Sequence, residues 1–116
     1  MMDFARRVTL AVEAIPDGKV ALYGQLAAIC GKPCNARQVG QIMGRGASKK
    51  AYKVVGAGGR LSGAAAFLIP GLQAELLRAE GIWLRGNGTV DLNEYQWRPT
   101  EEEFTALVQL WSEMDI

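Results

Sequence analysis

Two short helical stretches separated by one tight break constrain the fold of this chain more than any other feature. Tyr23 to Ile29 reads as a helix with Leu26 and Ile29 turned inward, and Val39, Ile42 and Met43 give the next helix its buried face. Between them lies Gly31-Lys32-Pro33-Cys34, where glycine and proline punctuate the chain. Asn35 stands at the N-cap of the second helix, with Gln38 at the reciprocal capping position. Short helices joined by a glycine-containing turn form the helix-turn-helix arrangement, in which the first residues of the second helix face a DNA groove. Here those residues are Ala36, Arg37 and Gln38. Plain scaffolds use the same pair, so the pattern alone does not separate binding from structure.

The flanking sequence completes a mainly α fold with small β-ribbons. Phe4, Val8, Ala11, Val12 and Ile15 recur at helical spacing, and Pro16-Asp17-Gly18 ends that first helix. Val20-Ala21-Leu22 is a short extended entry to Tyr23. After a basic loop from Gly44 to Lys50, Tyr52-Lys53-Val54-Val55 reads as a strand, with Arg60-Leu61-Ser62 pairing back across Gly56-Ala57-Gly58-Gly59. Pro70 opens a helix that Gly81 closes, with Leu72, Leu76 and Ala79 inward. Trp83-Leu84-Arg85 and Thr89-Val90-Asp91 flank Gly86-Asn87-Gly88 as a hairpin. Thr100 and Glu103 form a capping box for a last helix, whose core stripe is Phe104, Leu107, Val108, Trp111 and Met114. The aromatic residues Trp83, Tyr95, Trp97 and Trp111 are expected in the core. A length of 116 residues suits one domain over 1–116.

Composition narrows the chemistry. The chain contains no histidine, the usual general base near neutral pH, so nucleophile activation by Ser-His or Cys-His pairs cannot operate. Cys30 and Cys34 alone make a poor zinc site, and neither metal nor cofactor is expected. Cys30 reads as a small core hydrophobe and Cys34 as an exposed thiol without a base. No apolar run has the length of a membrane span, and the N-terminus lacks a signal core, so a cytoplasmic protein with reduced thiols is expected. The net charge of +1 hides an asymmetry. Residues 1–60 carry ten Lys/Arg and three Asp/Glu (+7), whereas residues 61–116 carry three and nine (−6). A polyanion partner for the first half would account for that split.

Five segments, taken in order, go further: Val20-Ala21-Leu22-Tyr23-Gly24-Gln25-Leu26-Ala27, Ala36-Arg37-Gln38-Val39-Gly40, Val54-Val55, Gly59-Arg60-Leu61-Ser62 and Leu77-Arg78-Ala79-Glu80-Gly81. Together the stretch from Gly18 to Arg98 resembles the DNA-binding domain of alkylguanine-DNA alkyltransferases, and within that superfamily the alkyltransferase-like proteins. The resemblance implies a helix-turn-helix, winged-helix-like fold of that type. It also implies that Arg37 fills the gap left by a flipped guanine and that Tyr23 presses on the neighbouring phosphate. Ala36, Gln38, Gly40 and Ser62 complete the DNA contacts it implies. Met43, Ala51, Tyr52, Val54, Val55 and Gly63 stand at the lesion pocket and its closing loop. Extruding a base costs a few kcal/mol, least where it is already damaged.

The departures matter equally. The transferases place Pro-Cys-His-Arg before the paired valines, and most alkyltransferase-like proteins place Pro-Trp-His-Arg there. This chain has Lys50-Ala51-Tyr52-Lys53, after a shortened loop. The position of the reactive cysteine is therefore Ala51 and that of its base Tyr52. Ala64 stands where some members carry a lesion-reading arginine. The resemblance thus implies a non-catalytic monomer that binds O6-alkylguanine in double-stranded DNA, flips it, and attracts nucleotide-excision repair proteins. The alternatives are an active alkyltransferase using Cys30 or Cys34, and a winged-helix regulator reading sequence in the major groove.

Overall fold

The computed structural model describes residues 2–61 and 71–116. Its elements are α1 (Phe4–Glu13), β1 (Ala21–Leu22), α2 (Tyr23–Ile29), α3 (Ala36–Gly44), β2 (Val54–Val55), α4 (Leu72–Ala79), α5 (Leu92–Tyr95) and α6 (Glu101–Glu113). Single 3-10 turns cover Ala51–Lys53 and Ala57–Gly59. Ser62, Gly63, Ala64 and Pro70 lie outside the described residues, as does any pairing by Ser62. No described helix is long and apolar enough to cross a membrane.

Local chemistry sets the helix ends. Asp3 caps α1 by accepting the Arg6 N–H at 3.2 Å, and Phe4, Val8, Ala11 and Val12 bury one face. α2 stops at Gly31, whose φ of +98° lets Lys32 N–H reach Ala27 O (2.9 Å) and Gly31 N–H reach Ala28 O (3.1 Å). Gly81 closes α4 in the same way, with Ile82 N–H on Leu77 O at 3.0 Å. At α3 the expected capping box does not form. The Asn35 amide donates to Gln38 Oε1 at 2.7 Å, so the two side chains satisfy each other and neither caps the backbone. The box of α6 does form: Glu103 N–H donates to Thr100 Oγ at 3.1 Å and Thr100 N–H to Glu103 Oε1 at 2.9 Å.

The β-structure departs from the expected hairpins. β2 pairs in parallel with β1, Ala21 opposite Val54 and Leu22 opposite Val55, across a crossover made of α2 and α3. Tyr52 and Lys53 belong to the 3-10 turn and not to the strand, because the Lys53 side chain turns inward to the carbonyls of Ile15 and Pro16. Gly56 N–H does bond back to Arg60 O at 2.7 Å, without a second strand among the described residues. Arg85 N–H meets Thr89 O at 2.8 Å, which closes the expected turn, but Val90 N–H goes to Gly59 O instead of continuing a ladder. That approach requires glycine: a Cβ on Gly59 would lie 2.1 Å from Val90 O.

The two-stranded ribbon separates two cores. Ala21 and Val54 face a cluster built by α1, α2, α3 and α6, whereas Val20 and Val55 face Leu77, Ile82 and Val90. Alternation along the strands accounts for the division. Three faces differ from expectation. In α4 the buried residues are Gln73 and Leu77, Leu72 and Leu76 are half-buried, and Ala79 is exposed. Gln73 is inward because its Nε2 supplies Tyr52 O (3.0 Å) and Val54 O (3.2 Å) with a donor. In α6 only Leu107 and Trp111 are buried, while Phe104, Val108 and Met114 are exposed, because this helix packs chiefly on α1. Trp97 and Trp111 are core residues, Tyr95 is half-buried, and Trp83 is exposed beneath the Arg78 guanidinium.

Candidate nucleic-acid interface

α3 presents its polar side outward because Val39, Ile42 and Met43 anchor the other side in the larger core. Arg37 and Gln41 are exposed, and Ala36, Gln38 and Gly40 are half-buried. Arg37, Gln38, Gln41 and Arg45, with Cys34 and Asn35, line an open depression of about 320 Å³. Neither guanidinium is in an ion pair among the described residues. No side chain caps the helix, which leaves its first N–H groups for an acceptor such as a phosphate oxygen. The Tyr23 ring, at the start of α2, lies against Gly40: a Cβ added there would sit 3.8 Å from the ring. The turn from α2 to α3 therefore brings Tyr23, Ala36, Arg37, Gln38 and Gly40 onto neighbouring surface. Between Gly18 and Ala74 the chain has eight Lys/Arg and no Asp/Glu; Lys53 is buried against Glu80, and the others give this region a positive field for phosphates.

The residues expected at a lesion pocket divide between the two cores. Met43 and Val54 are buried in the larger one, with Ala51 half-buried against it. Val55 is buried in the smaller one, with Tyr52 packed at its edge. Ser62 and Gly63 lie outside the described residues.

Tyr52 and Lys53, the two residues after Ala51, belong to a polar network that sequence reasoning missed. Lys53 is fully buried, and its Nζ meets Glu80 Oε1 at 2.8 Å, Pro16 O at 2.6 Å and Ile15 O at 3.4 Å. Gly18 N–H donates to the same Glu80 oxygen at 3.0 Å, and the Tyr52 hydroxyl donates to the other. Burial pushes the Glu80 carboxyl up, but hydrogen bonds from Lys53, Tyr52 and Gly18 and the charge of Lys53 outweigh it and hold it below the usual value. Burial, then the bond to Glu80 and the charges of Glu80 and Asp17, push the Tyr52 phenol up to about 12. Tyr52 is thus a hydrogen-bond donor to Glu80 that keeps its proton, and no base for a neighbour at position 51. A lysine next to two valines gave no sequence signal of burial. The nearest hint was Glu80 within the Leu77 to Gly81 segment.

The cysteines lie elsewhere. Cys30 is buried in the larger core, where desolvation pushes its thiol up to about 12 against the pull of Arg7. Cys34 is exposed on the turn before α3. Among the described residues no group of three or more His, Cys, Asp or Glu could hold a metal ion.

Residues 3–82 match the family described as 6-O-methylguanine DNA methyltransferase, DNA binding domain. The chain belongs to this family. The matched span of the methyltransferase DNA-binding domain runs from the cap of α1 to the end of α4, and leaves α5 and α6 outside it. A DNA base-flipping protein of Escherichia coli is 38% identical over 100 residues, 82% of this chain and 74% of that one. The crystal structure of S. pombe Atl1 in complex with damaged DNA containing O6-carboxymethylguanine superposes with a TM-score of 0.73 at 33% identity, covering 85% of this chain and 98% of that one. A methylated-DNA–protein-cysteine methyltransferase of Salmonella typhimurium is 42% identical over 86 residues, 70% of this chain but 48% of that one. The mainly helical architecture expected from the sequence is thus the architecture of this family.

Proposed function

We propose that this chain binds double-stranded DNA carrying an O6-alkylated guanine, turns the base out of the duplex without accepting its alkyl group, and marks the site for nucleotide-excision repair proteins. The observation that carries the reading is Ala51, which offers no nucleophile at the position corresponding to the reactive cysteine. The adjacent phenol, committed to Glu80, supports it. So do the base-flipping name of the bacterial relative and the lesion-bearing duplex held by the fungal one. In this reading Arg37 fills the vacated stack and Tyr23 presses on the flanking phosphate. Ala36, Gln38, Gly40 and Ser62 contact the duplex, and Met43, Ala51, Tyr52, Val54, Val55 and Gly63 surround the extruded base. The protein acts as a cytoplasmic monomer without metal or cofactor.

One pair of measurements tests this. Titration of a duplex carrying one O6-methylguanine and of its undamaged twin is expected to show preference for the lesion. Intact-mass spectrometry after incubation is expected to show unaltered protein. A methyl group gained on Cys30 or Cys34 would make the chain a transferase. Equal affinity for the twins, with preference between unrelated sequences, would make it a regulator.

A further inference from the structure

α6 lies outside the span shared with the family and carries a surface its own packing does not use. Phe104, Val108, Leu110 and the cap residue Met114 are each between 37% and 42% exposed. Against α1 this helix forms an apolar groove of about 410 Å³. Trp97 and Leu107, both buried, form its floor, Leu10 and Leu110 its walls, and Glu13 and Glu103 stand at its rim.

The charged side chains that line this groove, Glu13 and Glu103, are both acidic, and the nearest cation on the α1 side is Lys50, whose Nζ donates to Glu13 O at 3.1 Å. From Pro99 to Ile116 there are five carboxylates, Glu101, Glu102, Glu103, Glu113 and Asp115, and no Lys or Arg. None of these, nor Glu13, is in an ion pair among the described residues. Glu101 to Glu103 suit the N-terminus of α6, where the helix dipole favours negative charge. Glu13 and Glu113 are the last residues of α1 and α6, where the same dipole opposes them. Helix stability therefore does not explain them, whereas a cationic occupant would.

We propose that the groove between α1 and α6 docks a basic amphipathic helix of a partner protein. Leucine-sized side chains on one face of that helix would fill the apolar floor, and flanking Lys or Arg would meet the rim carboxylates. A second copy of this chain is a poor occupant, because two acidic rims would face each other. DNA is excluded by the same sign. α1 packs on α3 as well as on α6, so it stands between the groove and the basic surface, and both can be filled at once. The inference does not depend on the lesion-binding reading.

The test uses a fluorescein-labelled peptide about 18 residues long, with leucines on one helical face flanked by lysines. Two controls keep its length: one replaces lysine by glutamate, and the other scrambles the lysine peptide so that no apolar face remains. Fluorescence anisotropy on the full chain is expected to show binding about tenfold or more tighter for the first peptide than for either control. Leu110→Asp should weaken it about tenfold, and Glu13→Lys should weaken it while improving the glutamate peptide. Leu110 is partly exposed, so an unchanged melting curve and unchanged binding of plain duplex DNA will verify the fold of its variant. Equal binding of the lysine peptide and its scrambled form would overturn the proposal, as would undiminished binding to folded Leu110→Asp. Sedimentation showing a dimer of the wild type that Leu110→Asp dissolves would overturn it in favour of self-association.

Discussion

Removing Glu80 should cost more than removing the lysine it holds. In the Glu80→Ala variant Lys53 remains fully buried with only the carbonyls of Ile15 and Pro16, while Gly18 N–H and the Tyr52 hydroxyl lose their acceptor. Breaking a buried pair by deleting one partner costs roughly 3–5 kcal/mol. The Glu80 side chain is 14% exposed, so water can enter the gap, which favours the lower end, about 3 kcal/mol. For a domain of this size that is a fall in Tm of roughly 10–15 °C. Lys53→Met removes the buried charge itself and leaves Glu80 with Tyr52 and Gly18. The two freed carbonyls should limit its cost to about 1–2 kcal/mol. The double variant should then be less destabilised than the sum of the singles. Urea unfolding followed by the fluorescence of buried Trp97 and Trp111 measures all three. The sign with pH is fixed by the lowered Glu80 carboxyl. Its contribution is complete above the unfolded carboxylate pKa of about 4.3 and is lost as pH falls through the folded value, so wild type and Glu80→Ala should converge in acid. A Lys53→Met variant as damaged as Glu80→Ala, or singles that add without coupling, would refute this account of the network.

Arg37→Ala should weaken binding to a lesion-bearing duplex by about 1–3 kcal/mol more than Arg85→Ala, since Arg85 is already engaged by Asp91 at 2.9 Å; parallel titrations with both variants check it. Ala51→Cys should remain nearly inert towards methylated DNA by mass spectrometry, because the Tyr52 hydroxyl keeps its proton, donates it in a hydrogen bond to Glu80, and is pushed up to about 12, so it cannot take a proton from the thiol. Rapid transfer with Tyr52 intact would mean that the site activates a thiol by another route. Gly59→Ala should unfold the protein or lower its urea midpoint sharply, since the added methyl meets the backbone at Val90 and φ is +82°. Thr100→Ala should cost about 1 kcal/mol in the same assay through loss of the α6 cap.

What the sequence revealed were features written in local chemistry. The bounds of α2 follow from Tyr23 and from the glycine at position 31, the end of α4 from Gly81, and the cap of α6 from Thr100 and Glu103. The outward face of α3, with Arg37 exposed, follows from the spacing of Val39, Ile42 and Met43. What it concealed depended on distant partners. Val54-Val55 reads as half of a hairpin until Ala21-Leu22 is seen beside it in parallel. Gln73 and Lys53 are polar types that reading by periodicity assigns to the surface, yet carbonyls and a carboxylate from three separate segments make them interior. The stripe on α6 was legible as apolar, but periodicity cannot say how much of a stripe has a neighbour to cover it. Of the candidate site, the helix-borne residues could be placed from sequence, whereas the division of Met43, Ala51, Tyr52, Val54 and Val55 between two cores could not.

The ribbon of β1 and β2 has a consequence for how such a chain tolerates change. Val54 and Val55 point to opposite cores, so a slip of one residue would present each side chain to the wrong packing partners. The register is thus locked just downstream of residues 45–50, whatever their number. Tyr23 follows Leu22 and the Ala51–Lys53 turn precedes Val54, so both are anchored through the same two rungs. A change in the length of residues 45–47 should therefore leave the frame beside them fixed, which makes that length an accessible variable for design.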